Sequence, residues 1–439
     1  MDAVNLPAPG SKTRIVVVGG GFAGLNFVSK LDTRAYQVVL LDRHNYHTFA
    51  PLLYQVATAG IEAPDVCGPL RKSFRGKQDF HFRMLEARGI DPDRRVIRTG
   101  AGTIRYDHLV LATGTRANFF GNANVAAHAL PLKTVPDARR LRNHIFQTLE
   151  QVDMTDDPRE RERLMTFVIV GGGPSGVELA GALSELRRHV LDRDYPDTPM
   201  GGLRFVLVEG SDQLLGGFSE KSSADARRNL EEMGVELRFG TLLSDYDGRT
   251  ATLKDGSTIE TATVIWGAGV TGEIIRGLGE GSVTKARYVI DDRLRVRAYD
   301  NVYALGDIAF LTNDSWPKGH PGVAQVAIQM GQRLARNFNA LAKGEPTRPF
   351  VYFDKGNLAI IGRNRAVADL PKNVHLNGFP AWFIWAFVHI FYLIGWRNRL
   401  FTFLTWASNY VTYNRAVRLV LEPSLENQFD PERVGEIEE

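Results

Sequence analysis

The sequence predicts an α/β fold with two Rossmann-like dinucleotide-binding domains and an amphipathic helical segment at the C-terminal end. Three observations predict it: a glycine turn between an apolar strand and a helix at Gly19, a second copy of that pattern at Gly171, and a tryptophan-rich stretch from Phe379 onward. In the first copy, Arg14-Ile15-Val16-Val17-Val18 runs as a strand into Gly19-Gly20-Gly21-Phe22-Ala23-Gly24, a G-x-G-x-x-G spacing. Gly19 permits the tight turn, Gly21 lets a pyrophosphate approach the backbone, and Gly24 lets the helix pack close to the strand. The anion then rests on the helix N-terminus, where N–H groups and the dipole favour negative charge. Eighteen residues after Gly24 a second apolar strand, 37–41, ends in Asp42, where a carboxylate should meet adenosine ribose hydroxyls.

The second copy is Phe167-Val168-Ile169-Val170-Gly171-Gly172-Gly173-Pro174-Ser175-Gly176-Val177-Glu178, and its second strand, 203–208, ends in Glu209. The longer interval to this acid is taken up by a charged, proline-containing segment, 187–199, read as a longer helix and loop. Two such units imply two dinucleotides. An acid at the end of each second strand favours a free 2′-hydroxyl over a 2′-phosphate, so a nicotinamide partner should be NADH and not NADPH.

Composition narrows the class. A chain of 439 residues holds two or three domains, and 44% hydrophobic content with 43 glycines suits a glycine-turned α/β protein. A net charge of +3, with no basic patch interleaved with aromatics, gives no sign of a nucleic-acid partner. The single cysteine, Cys67, excludes a disulfide framework, a CxxC redox pair and a cysteine metal cluster, and no metal site is expected. No apolar h-region precedes the first strand, so no secretory signal is expected.

Along the chain, residues 51–58 form a helix turn after the polar, aromatic run Arg43-His44-Asn45-Tyr46-His47, and His47 reads as a core histidine. A strand at 80–84 leads toward the adenine edge near Ala87, followed by a charged hairpin at 91–95. A buried strand ending in Ala112-Thr113-Gly114 has its counterpart in Thr263 to Gly269, each downstream of a glycine fingerprint. The helix 135–151 and a charged run, 154–163, lead to the second fingerprint, the run being read as a solvated linker. Residues 280–310 return to the first domain, where Val302-Tyr303-Ala304-Leu305-Gly306-Asp307 closes a strand on a carboxylate able to accept a hydrogen bond from a ribitol hydroxyl.

With these pieces in place the chain resembles the two-dinucleotide-binding-domain flavoproteins, and within them the type II NADH dehydrogenases, non-proton-pumping NADH:quinone oxidoreductases. The resemblance runs from about residue 13 to 421. It rests on Asn45-Tyr46-His47 with Pro51-Leu52-Leu53-Tyr54-Gln55-Val56-Ala57-Thr58, the Gly-Gly-Gly-Pro-Ser-Gly-Val-Glu run ending at Glu178, Leu305-Gly306-Asp307, and Gly322-Val323-Ala324-Gln325-Val326-Ala327-Ile328-Gln329. It implies FAD held by Gly19, Gly20, Gly21, Phe22, Ala23, Gly24, Asp42, Arg43, Ala87, Ala112, Thr113, Gly114, Asp307, Ala327 and Ile328. It implies NADH, as substrate, at Gly171, Gly173, Gly176, Glu209 and Gly269. Glu178 stands at the position of the family's active-site glutamate. Gln325 and Gln329 stand where the family places two glutamines at the quinone head-group, and their i, i+4 spacing puts them on one helix face. Ala50 departs from relatives, which often carry glutamine there, and residues 382–389 lack the lysines that some members have in this region. The implied activity is hydride transfer from NADH to FAD, then two-electron reduction of a membrane quinone, ubiquinone or menaquinone, on the cytoplasmic side of the cell inner membrane.

The domains expected are an FAD domain (13–120 and 287–350), an NADH domain (121–286), a C-terminal membrane-anchoring and quinone-access region (351–421), and an acidic tail (422–439). Four of the six tryptophans, Trp382, Trp385, Trp396 and Trp406, lie in that region. The apolar run 379–396 barely reaches a spanning length and is broken by Pro380, His389 and Gly395. With Arg397, Arg399, Arg415 and Arg418 nearby it reads as a helix pair lying in the bilayer interface, aromatics down and arginines at the phosphates. A buried helical hairpin or a homodimer interface is the competing reading, and His389 is a candidate protonation site. For the whole chain, the rivals are a soluble reductase of a ferredoxin-type acceptor and an NADH-binding redox sensor.

Overall fold

The computed structural model describes residues 4–198, 200–412 and 417–421. The chain forms two compact units, one of Met1–Phe49, Cys67–Asn118 and Val270–Lys355, the other of Ala50–Val66, Phe119–Gly269 and Gly356–Glu439. The expected acidic tail, 422–439, and Arg415 lie outside the described residues.

The first unit is built on a five-stranded parallel sheet in the order Val302–Ala304, His108–Leu111, Thr13–Val18, Tyr36–Asp42, Phe80–Met84. Its central strands are continuous apolar runs because both faces are covered, and Ile15, Val16, Val17, Val38, Val39 and Leu40 are fully buried. The helix Phe22–Lys30 covers one face and is itself crossed by the long helix Ala324–Leu341. The crossing is close because a Cβ on Gly331 would stand 2.3 Å from the Ala23 carbonyl oxygen.

The second unit repeats the plan. Its parallel sheet runs Leu130–Pro131, Thr263–Trp266, Thr166–Val170, Arg204–Glu209, Val235–Phe239. In both sheets the fingerprint strand is flanked on one side by the strand ending in the acid and on the other by the strand ending in small residues. The internal repeat in the sequence is thus a repeat of topology.

Three elements differ from expectation. The charged run 154–163 is not a plain linker: Pro158–Leu164 is a helix, N-capped by Asp157, which accepts from the Arg159 N–H at 2.9 Å, with Glu160 paired to Arg163. Proline at the first helical position and an aspartate cap start a helix whatever the charge density around them. Second, an antiparallel sheet, Asn357–Gly362, Arg365–Leu370 and Val374–Asn377, precedes the aromatic stretch and was not expected from the sequence. Third, the aromatic stretch is a helix pair, Gly378–Tyr392 and Trp396–Thr412, but its aromatics are divided between two faces. Ala381 and Trp385 are buried, the former packing with Ala366 and Ala368 of the sheet. Phe379, Phe383, Phe387 and Phe391 recur every four residues and are all exposed. Among the described residues no helix is long and apolar enough to cross a membrane.

Candidate functional site

The first cradle sits at the carboxyl ends of the first sheet, where open parallel sheets bind ligands. Gly19 has φ +105°, and a Cβ there would lie 2.2 Å from the Ala112 carbonyl oxygen, so the turn brings Ala112-Thr113-Gly114 directly beside the fingerprint. A Cβ on Gly24 would lie 1.9 Å from the Gly19 carbonyl, which is why helix and strand can meet only at glycine. At Gly21 the same construction meets nothing within 4 Å. The open space lies in front of the N-terminus of the helix that begins at Phe22, where free N–H groups and the helix dipole favour an anion.

The rest of the first set gathers around it. Asp42 ends its strand with one carboxylate oxygen accepting from the Gly20 N–H at 2.6 Å and the other from the His44 N–H at 2.7 Å. Leu85 N–H bonds the Asp42 carbonyl, which leads the chain to Ala87 beside this acid. Arg43, half-exposed, reaches Glu273 at 3.8 Å and Glu86 at 3.9 Å. Gly306, at φ +72°, would place a Cβ 3.2 Å from that of Ala327 and 3.4 Å from that of Ala23, so Asp307 is brought against both helices. Its carboxylate accepts weakly from Thr115 Oγ1 at 3.4 Å. Ile328 follows Ala327 on the same helix, partly buried. His47 is a core histidine, as expected: Phe22 packs edge-on to its ring, and Nδ1 donates to the Gly20 carbonyl at 2.9 Å. Burial lowers its pKa to about 4 and keeps it neutral.

Gln325 and Gln329 do share one face of the helix Ala324–Leu341, and both are partly buried. That face grips a neighbouring segment: Gln329 donates to the Phe353 carbonyl at 2.8 Å and accepts from the Phe353 N–H at 3.0 Å, while Gln325 accepts from the Lys355 N–H at 3.2 Å.

The second cradle copies the first. Gly171 has φ +108° and abuts Gly267, a Cβ on Gly176 would lie 1.9 Å from the Gly171 carbonyl, and Gly173 faces open space. Glu209 repeats Asp42: one oxygen accepts from the Gly172 N–H at 2.6 Å, the other from Ser211 N–H at 2.8 Å and Ser211 Oγ at 2.9 Å. Gly269, exposed, ends the small-residue turn after Thr263–Trp266.

The helix launched by the second fingerprint, Pro174–Leu186, carries Glu178 into a cleft of about 880 Å³ counted to its open mouth. Its walls include Tyr54, Gln55, Trp382, Trp385 and Trp406. Trp385 stacks on Trp406 with centroids 5.3 Å apart, and Trp406 Nε1 donates to Gln55 at 2.7 Å, which in turn donates to Tyr54 Oη at 2.9 Å. Glu178 is 7% exposed, and its carboxyl accepts a long bond, 3.4 Å, from the Ile360 N–H. Burial pushes its carboxyl up to about 8, against small opposing pulls from that N–H and from the indole of Trp385, which finds no well-aligned partner elsewhere. A carboxyl so placed is protonated at neutral pH. His389 stacks on Trp385 at 4.1 Å, donates through Nδ1 to the Trp385 carbonyl, and is held neutral by burial, with a pKa of about 4. It is a neutral residue packed behind Trp385, not a group that titrates near pH 7.

Three of the four C-terminal tryptophans thus face protein, and only Trp396, 75% exposed, faces outward. Glu185, His189, Arg363, Asn409 and Tyr410 also line the cleft, and none stood out in the sequence. Glu185 shares a helix face with positions 178 and 182, and His189 falls in the π-helical turn Arg187–Leu191, so spacing alone marks neither as a site residue.

Two dinucleotide cradles on one chain define a class, the pyridine nucleotide-disulphide oxidoreductases, whose family pattern the chain matches over residues 13–331. With one cysteine, the chain has no redox disulphide of its own. Residues 355–413 match the NDH2 C-terminal domain. The chain is 34% identical to the type II NADH:quinone oxidoreductase Ndh of Mycobacterium tuberculosis, over 93% of this chain and 90% of that one. It is 29% identical to the internal alternative NAD(P)H-ubiquinone oxidoreductase A1 of Arabidopsis thaliana mitochondria, over 92% and 85%. Its fold matches that of NDH2 from Plasmodium falciparum, solved in complex with NADH, with a TM-score of 0.85 at 21% identity, covering 94% of this chain and all of that one. The chain belongs to the type II NADH:quinone oxidoreductases.

Proposed function

We propose that the chain binds FAD in the first cradle and NADH in the second, and passes the electrons of NADH to a quinone of the membrane. The observation that carries this reading is the aromatic cleft with a buried, protonated Glu178, formed in the same unit as the second cradle. When bound, the flavin supplies the redox chemistry, accepting hydride from the nicotinamide and returning two electrons to the quinone. The chain's own residues bind and orient. The open space at Gly21 and Gly173 receives the two pyrophosphates, while Asp42 and Glu209 take the adenosine riboses. Among the described residues no arginine is bonded to Glu209, which favours the 2′-hydroxyl of NADH over a 2′-phosphate.

Quinone reduction consumes two protons, and Glu178 holds one in a cleft whose walls include Trp382, Trp385 and Trp406, aromatic surface against which a flat ring can pack. Glu178 gives its proton to a quinone oxygen and is then reprotonated. Gln325 and Gln329 carry neutral amides suited to a quinone carbonyl; Gln329 donates to the Phe353 carbonyl and accepts from the Phe353 N–H, and Gln325 accepts from the Lys355 N–H. Attachment to the bilayer is peripheral, through the exposed row Phe379, Phe383, Phe387 and Phe391 with Trp396. Arg397, exposed and lying over the Phe401 ring at 4.6 Å, stands next to Trp396 and can reach lipid phosphate.

Stopped-flow mixing of the purified holoprotein with NADH or NADPH, then with a short-chain quinone, tests the reading. Fast flavin bleaching by NADH alone, followed by fast recovery with quinone, is the expected result. Recovery only with oxygen or an iron–sulfur protein would make it a reductase of another acceptor.

A further inference from the structure

Glu178 lies in an apolar cleft, yet each turnover must return a proton to it. A second cavity, about 640 Å³ and polar, is lined by Glu185, Arg188, His189, Met233, Arg363 and Asn364. Arg188 and Asn364 are exposed, so this cavity reaches solvent. Glu185, His189 and Arg363 line both cavities. Glu185 lies at i+7 from Glu178 on the helix Pro174–Leu186, and His189 follows in the π-helical turn Arg187–Leu191. Glu185 is fixed in place by accepting from the Arg363 N–H.

We propose that Glu185 and His189 conduct to Glu178, through the two cavities that share them, the solvent proton that quinone reduction consumes. The proposal rests on reading the cleft as a quinone site. NADH supplies both electrons and one proton as hydride, and solvent supplies the second proton. The imidazole of His189 takes a proton from water, the carboxylate of Glu185 receives it, and Glu178 recovers what it gave to the quinone oxygen. Every group then returns to its starting state. The charges facing the two groups are Arg188 on their own chain segment and Arg363 and Arg365 on the adjoining hairpin. Arg365 is neutralised by Glu232 at 2.7 Å, and Arg363 stacks on Tyr410 at 3.9 Å. The second cavity is polar and open to solvent, room in which water can hydrogen-bond between the steps.

The test uses the flavin-loaded protein, NADH and a short-chain quinone between pH 6 and 9, with both half-reactions followed separately. Removing one step of the relay, Glu185→Gln or His189→Ala, is expected to slow flavin reoxidation by quinone about tenfold or more while bleaching by NADH stays within about twofold. Glu185→Asp restores most of the rate, and added imidazole restores His189→Ala, neither of which a merely structural role provides. The proposal is overturned if both variants keep the wild-type reoxidation rate and pH profile. It is equally overturned if bleaching by NADH falls in parallel, or if aspartate and imidazole restore nothing. A wild-type protein that quinone does not reoxidise at all removes the quinone reading itself, a distinct result.

Discussion

At the scale of single residues, Glu178 couples function to stability. Its carboxyl rises from 4.5 to about 8 because burial disfavours the anion. Below pH 4.5 folded and unfolded chains both hold the proton. Between 4.5 and 8 the unfolded chain loses it and the folded chain keeps it, so the stability contributed by the neutral carboxyl falls as pH rises through that window. Glu178→Gln, always neutral, is therefore expected to match the wild type near pH 4 and exceed it at pH 9 by on the order of a few kcal/mol. Denaturant midpoints at the two pH values check this, and an equal gap at both would sink it. The same variant should lose about a hundredfold in quinone turnover while NADH still bleaches the flavin. Glu178 was legible because a motif carries it. Glu185 and His189 were not, because nothing in their local sequence marks them until the fold puts a cavity on either side.

At the scale of elements, the glycine turns were the most legible part of the chain. Strand, turn, helix and acid each constrain the others, and the structure reproduces the set twice with the same two hydrogen bonds to each acid. The turns also separate folding from binding. Gly173 has φ −71° and open space at its Cβ position, so Gly173→Ala should fold at a cost of about 1 kcal/mol or less. Its methyl group occupies the pyrophosphate cradle, and the Kd for NADH should rise at least about tenfold. Gly176→Ala instead drives a methyl group to 1.9 Å from a carbonyl oxygen and should cost about 3 kcal/mol or more, whatever the ligand. Thermal melts and NADH titrations of the two variants check the contrast, which fails if both lose stability alike. The C-terminal sheet was missed for a physical reason. Its strands are short, and its first turn relies on Asn364 at φ +60° instead of a glycine, so no strong turn signal divides them.

At the scale of the whole chain, the C-terminal aromatics divide between a buried and an exposed face. Tryptophan density alone reads as a membrane belt, and that density is what the sequence displays. The spacing tells more: phenylalanines at 379, 383, 387 and 391 form one stripe, whereas Trp382, Trp385 and His389 form another that turns toward protein. One stripe walls the cleft and the other is exposed; in the proposed function the exposed row meets lipid, and a quinone then passes from the bilayer into the cleft without crossing water. Replacing Phe387 and Phe391, 64% and 58% exposed, by serine removes surface worth about 1.5–3 kcal/mol for each ring fully buried in lipid. Flotation with phospholipid vesicles should show binding weakened at least about tenfold, with NADH still bleaching the flavin and a water-soluble quinone still restoring it. If the double variant floats like the wild type, the outward row is not the anchor. If it floats poorly and also loses turnover with the water-soluble quinone, the two stripes are not independent and the division of labour between them is wrong.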